Sequence, residues 1–173
     1  MIKLKIMLFI LFAFFTFQNC GGNAENIKIG SAAPDFELQD AFGKLFKLSD
    51  YKNQKPVVIY FYPKANTPGC TKQACGIRDN FKKFEESEIV VVGISVDSKE
   101  SIKDFINQHN LNFPLLSDEN KDVSKKYNVL NNIGLDSRIT FIIDKNGNIA
   151  HIIREVDVET HADEVLKIAN EIK

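Results

Sequence analysis

The chain has 173 residues, 44% of them apolar and 26% charged, with nine glycines and five prolines, which excludes collagen-like, low-complexity and wholly disordered classes. One compact domain is the expected count. The formal charge of −1 at pH 7 argues against a broad nucleic-acid-binding face, and the cysteines, Cys20, Cys70 and Cys75, are an odd number that has to be divided among roles.

Five of the fourteen phenylalanines, Phe9, Phe12, Phe14, Phe15 and Phe17, crowd the first 17 residues. Lys3 and Lys5 precede an uncharged run from Ile6 to Phe17, shorter than the roughly 20 residues a membrane-spanning helix needs. A basic start and a short apolar core read as an export signal over residues 1–19. The following stretch, Phe17-Gln18-Asn19-Cys20-Gly21-Gly22-Asn23, resembles the processing site of bacterial lipoproteins, where the residue after the cut is a cysteine that receives a diacylglyceryl thioether. The resemblance implies lipidation of Cys20, a polar tether over residues 20–28, and a membrane-anchored protein facing the periplasm or cell exterior. Such sites usually carry a small residue where Asn19 stands and an aliphatic one where Phe17 stands. Ordinary secretion, an uncleaved anchor and an idle thiol at Cys20 are the alternatives.

Loss of residues 1–19 removes two lysines and no acid, which moves the net charge to −3. The domain expected over residues 29–173 is long enough to hide about 68–70% of its unfolded surface, so Cys70 and Cys75 are not needed as structural clips.

Phe36 and Leu38 alternate with polar neighbours, Gly43 marks a turn, and Leu45-Phe46-Lys47-Leu48 follows, which reads as an N-terminal β-hairpin. Val57–Tyr62 and Ile89–Ile94 are unbroken apolar runs of the kind covered on both faces of a sheet, and the helical pattern between them makes a βαβ unit. A second helix is expected over Lys99–His109 and a third over Asn120–Tyr127, with Phe113-Pro114-Leu115-Leu116 extended between them. Ile139–Ile143 and Ile149–Ile153 flank an Asn146-Gly147 hairpin turn. A last helix starts near Thr160 and packs through Val165, Leu166, Ile168 and Ala169. The order implies an α/β fold, one mixed central sheet flanked by helices on both faces.

The chemistry concentrates in Pro63-Lys64-Ala65-Asn66-Thr67-Pro68-Gly69-Cys70-Thr71-Lys72-Gln73-Ala74-Cys75. Thr67 is placed to cap a helix whose first residue is Pro68, because proline has no N–H to leave unpaired there. Cys70 is then the third helical residue, where free first-turn N–H groups and the positive end of the helix dipole favour a thiolate. Ala74, Ile77, Phe81 and Phe84 give that helix its core face. Cys75 lies five residues on, about 7.5 Å along the axis and about 140° around it. The Cα separation of roughly 8–9 Å exceeds the limit of about 7 Å for a disulfide, so a bond between the two would require the helix to unwind locally.

Pro63-x-x-x-Thr67-x-x-Cys70 with Cys75 behind it resembles a peroxiredoxin, and specifically the bacterioferritin comigratory protein, or PrxQ-like, subfamily. The likeness extends over about residues 30–170 and includes Ala33-Pro34-Asp35-Phe36, Gly93-Ile94-Ser95-Val96-Asp97-Ser98, Phe113-Pro114-Leu115-Leu116-Ser117-Asp118, Arg138-Ile139-Thr140-Phe141 and Ala162-Asp163-Glu164-Val165-Leu166. It implies a thioredoxin-like fold and an antioxidant peroxidase that reduces hydrogen peroxide and organic hydroperoxides. In that reading Cys70 is the peroxidatic nucleophile and Cys75 the resolving cysteine. Arg138 matches the active-site arginine, Thr67 the hydroxyl that meets the peroxide, and Pro63 the residue that shields the pocket. The implied cycle passes through a Cys70 sulfenic acid and a Cys70–Cys75 disulfide, which thioredoxin or a thioredoxin-like protein reduces. The stretch between Tyr127 and Arg138 is shorter than in many members.

No cofactor or metal is implied, no nucleic acid is expected as partner, and the chain is read as a monomer. His109, His151 and His161 lack metal-ligand spacing and are taken as surface or structural residues. Two other functions share parts of this pattern. A disulfide oxidoreductase would be expected to carry C-x-x-C and would leave Thr67 and Arg138 without a purpose. A non-enzymatic redox sensor would consume about one equivalent of peroxide where a peroxidase consumes many.

Overall fold

The computed structural model describes residues 27–172. The export signal, Cys20 and most of the tether lie outside the described residues.

β1 (Glu37–Gln39) and β2 (Leu45–Lys47) form a small antiparallel sheet near the N-terminus. A short 3₁₀ helix, Leu48–Tyr51, leads to β3 (Val57–Phe61), followed by α1 (Pro68–Glu86), β4 (Val90–Ser95), α2 (Lys99–His109), β5 (Leu115–Ser117), α3 (Asp122–Lys126), β6 (Ile139–Ile143), β7 (Ile149–Ile153) and α4 (His161–Glu171). The main sheet has the order β5-β4-β3-β6-β7, with β3, β4 and β5 parallel and β6 and β7 antiparallel additions. This is the thioredoxin-like α/β arrangement expected from the sequence.

Alternation along β3 separates two cores. Val58, Tyr60 and Tyr62 turn to the side covered by α1, α2 and α4, while Val57, Ile59 and Phe61 turn to the side covered by α3 and the small hairpin. Burial of Ile77 and Phe84 on α1 contributes about 1.5–3 kcal/mol each, which anchors that helix from its middle onward. α1 and α4 pack against each other where Gly76 faces Ala162, and a Cβ on Gly76 would meet the alanine methyl at an ordinary contact distance of 3.9 Å.

Local chemistry sets the boundaries. Ser98 caps α2 by accepting the Ser101 N–H at 3.3 Å, and Asn110 ends that helix in the left-handed region at φ 50°. The third helix begins two residues later than Asn120 because its cap is remote in sequence. The Asp118 carboxylate accepts the N–H groups of Val123 at 3.2 Å and Ser124 at 2.7 Å. In the β6–β7 hairpin Asp144 accepts from Asn146 and Asn148 while Gly147 takes φ 85°, as the Asn-Gly pair predicts.

Candidate active site

The site forms where β3 gives way to α1 and where the chain enters β6. Tyr62 extends β3 pairing by donating its N–H to the Ile94 carbonyl at 3.1 Å, and the chain then turns through Pro63–Thr67, with Asn66 at φ 58°. Asp97, just past β4, pins that turn. Its carboxylate accepts the Ala65 N–H at 2.8 Å and the Ser95 hydroxyl at 3.0 Å. Pro63 and Thr67 are half-buried on the turn.

Thr67 occupies the N-cap, but its side chain does not cap. The hydroxyl donates to the Lys64 carbonyl at 2.9 Å and accepts from no first-turn N–H, contrary to the sequence expectation. The tight turn before Pro68 supplies a nearby acceptor, and the hydroxyl closes that turn instead. First-turn amides therefore remain uncapped by this side chain where Cys70 sits as the third helical residue.

Cys70 is 2% exposed, and Arg138 Nη2 stands 3.4 Å from its sulfur as a donor. The sheet delivers this contact. β6 pairs antiparallel with β3 in the register Phe61↔Ile139, so Arg138, one residue before β6, falls beside Tyr62 and the turn that leads to Cys70. Gly69 makes room for it, because a Cβ there would lie 3.2 Å from Arg138 Nη2. The guanidinium thus sets a permanent positive charge against a buried sulfur.

Two buried residues complete the arrangement: Gln73, which the sequence leaves unassigned, and His161, which it reads as a surface or structural residue. Arg138 Nη1 donates to Gln73 Oε1, Gln73 Nε2 lies 3.2 Å from His161 Nδ1, and His161 Nε2 lies 2.8 Å from Thr140 Oγ1. Burial, then the Arg138 charge, lowers the His161 pKa to about 4, so the ring is neutral at ordinary pH. Their signal in the sequence is positional. Gln73 sits three residues after Cys70 beside the apolar stripe of α1, and His161 precedes Val165 and Ala169 by four and eight residues on the core stripe of α4. His109 and His151 are half-buried and take no part.

Cys75 is half-buried further along α1, which is an unbroken helix from Pro68 to Glu86 with both cysteines as free thiols. Among the described residues no group of three or more His, Cys, Asp or Glu side chains is placed to hold a metal ion. A short distance away, near the approach to β6, the Asp136 carboxyl is fully buried with no hydrogen-bond partner. Burial first, and then the negative charges of Asp118 and Asp97, push it up to about 7.

The pattern of an AhpC/TSA family model matches residues 29–152. The chain is a peroxiredoxin of the AhpC/TSA family. The peroxiredoxin Q of Sedum lineare chloroplasts is 45% identical to it over 147 residues, covering 83% of this chain and 78% of that protein. The peroxiredoxin Bcp of Bacillus subtilis is 43% identical over 148 residues, covering 82% and 94%. Among solved structures, the peroxidoxin BcpB of Mycobacterium tuberculosis aligns with a TM-score of 0.78 at 37% identity, covering 85% of this chain and 99% of that one. A cysteine-to-serine mutant of Xylella fastidiosa PrxQ aligns at 0.77 and 31% identity, covering 82% and 94%. As a peroxiredoxin this protein is a thiol-dependent peroxidase, an oxidoreductase that takes peroxide as substrate and a thiol as reductant.

Proposed function

We propose that Cys70 is the peroxidatic nucleophile and Cys75 the resolving one, in a cycle that reduces hydrogen peroxide and organic hydroperoxides. The observation that carries this reading is the 3.4 Å contact of Arg138 Nη2 with a buried cysteine sulfur in the first turn of a helix. The Cys70 thiolate attacks one peroxide oxygen, the O–O bond breaks, and the departing oxygen takes a proton to leave as water or an alcohol. Cys70 becomes a sulfenic acid. Arg138 holds charge on the sulfur and on the departing oxygen, Thr67 presents its hydroxyl to the peroxide, and Pro63, which has no N–H, keeps water from that side.

Resolution requires the helix to open. In α1 as folded, the two cysteines are separated by about 8–9 Å between Cα atoms, too far for a bond. Opening is confined to the first turns, because Ile77 and Phe84 are buried and Arg78 Nη1 donates to the His109 carbonyl at 2.6 Å, tying α1 to the end of α2. The Cys75 sulfur then attacks the Cys70 sulfenic acid, forming the disulfide and releasing water. A thioredoxin-like dithiol restores both thiols through a mixed disulfide.

Export through residues 1–19, anchorage by a lipid on Cys20, and a monomeric domain over residues 29–173 on a tether complete the proposal. These place the reductant on the outer side of the membrane. The test is peroxide consumption with an excess of dithiol: many equivalents per wild-type chain and none above background for Cys70→Ser. Stoichiometric consumption by the wild type would favour a sensor.

A further inference from the structure

Arginine only donates hydrogen bonds, and this fixes the direction of the whole buried chain behind it. Gln73 must accept from Arg138 through Oε1, so its amide nitrogen faces His161 and donates to Nδ1. Nδ1 is therefore bare, and the proton of the neutral ring sits on Nε2, donated to Thr140 Oγ1. Gln73 and His161 are 1% and 0% exposed, so neither is open to bulk solvent. Reversal of any one link places two donors face to face at another.

The chain joins three elements. Gln73 lies on α1 between Cys70 and Cys75, His161 is the first residue of α4, and Arg138 and Thr140 belong to the approach to β6 and to β6 itself. Packing of α1 against α4, with Gly76 facing Ala162, brings the start of α4 within reach of Gln73. The titratable groups that face the ring are Tyr60 of β3, at 6.1 Å between ring centroids, and Arg138; α1 carries Cys70 and Cys75 on either side of Gln73. Unwinding of the first turns of α1 withdraws Gln73 from His161 and from Arg138 together.

We propose that His161 is a positioning residue and latch: through Gln73 it holds the Arg138 guanidinium on Cys70 and keeps the first turns of α1 closed, which sets the balance between attack on peroxide and opening for disulfide formation. The inference rests on the assignment of Cys70 and Cys75 above. A ring held neutral by its burial keeps the latch in one sense across the ordinary pH range.

The test uses the pre-reduced full chain, mixed with hydrogen peroxide and quenched by thiol alkylation, so that loss of the Cys70 thiol and appearance of the disulfide are timed separately. His161→Leu fills the space with no acceptor, whereas His161→Asn restores an acceptor near the place of Nδ1. Leaving the buried Gln73 amide N–H without its acceptor predicts that His161→Leu slows Cys70 oxidation about tenfold to a hundredfold. His161→Asn recovers most of that rate, and disulfide closure in both variants is at least as fast as in the wild type. A merely structural histidine predicts otherwise: rates would follow melting temperature, with the apolar variant ahead of the one that buries an amide. Wild-type oxidation in His161→Leu, equal losses in both variants, or rates that track stability would each overturn the latch. Should His161→Leu fail to fold, Thr140→Val, which frees the ring to carry its proton on Nδ1, is expected to slow oxidation severalfold; a wild-type rate there would overturn the latch as well. A wild-type Cys70 that does not react would remove the assignment of Cys70 itself, and the latch with it.

Discussion

Gly69 and Arg138 are packed so closely that a Cβ on residue 69 would stand 3.2 Å from Arg138 Nη2. The Arg138 guanidinium thus lies across the first turn of α1, over a residue that has no side chain. Gly69 has no positive φ to demand glycine, so the requirement is for space alone. Gly69→Ala is expected to fold normally and to push the guanidinium outward by a few tenths of an ångström. Because misplacement of about 1 Å can cost about a hundredfold, oxidation of Cys70 should slow severalfold with little change in melting temperature. Stopped single-turnover oxidation alongside thermal melts checks this.

Arg138→Ala removes the charge itself. Preorganised donors of this kind are worth about 10²–10³ in rate, so the peroxide step should fall by that order. In the proposed cycle disulfide closure depends on helix opening rather than on the guanidinium, so it should be unaffected or faster, because Gln73 has lost a partner. Timed quenching of each step separates the two; a larger loss in closure than in attack would contradict the assigned role.

Legibility differed by the range of the interaction that decides each feature. α2, β6 and β7 have the bounds their apolar patterns predict, because Ser98, Asn110 and the Asn146-Gly147 turn are local signals. α3 starts two residues after the Asn120 its pattern predicts, because the Asp118 carboxylate that takes its first N–H groups precedes the helix by four residues and reaches it through a fold of the chain. Cys70 and Arg138 were readable as a matched pair from the motif. Gln73 and Asp97 take no role from the sequence, and His161 reads there only as a surface or structural residue, since a buried polar side chain gains meaning only from what the opposite element presents. Thr67 shows the converse. A capping residue type at a capping position turned its hydroxyl to the preceding carbonyl, a choice that propensity alone does not decide.

Asp136 predicts a pH dependence of stability. Its ordinary value is 3.8 and its folded value about 7. Between those values the unfolded chain has released the proton and the folded chain keeps it, so the unfolded state binds fewer protons and stability falls as pH rises through this window. Below about 4 and above about 7 the two states match and this contribution is flat. Asp136→Asn removes it. Melting temperatures of the variant should gain on those of the wild type by several degrees between pH 4.5 and 7.5 and hold that lead at higher pH; parallel curves would show that Asp136 titrates normally.

The position at which the oxygen from peroxide arrives decides the role of Cys70. In Cys75→Ser the sulfenic acid has no resolving partner, so one equivalent of hydrogen peroxide should leave a single trappable sulfenic acid, located by peptide mass at Cys70. Its absence from Cys70, with the peroxide nonetheless consumed, would contradict the account at its centre.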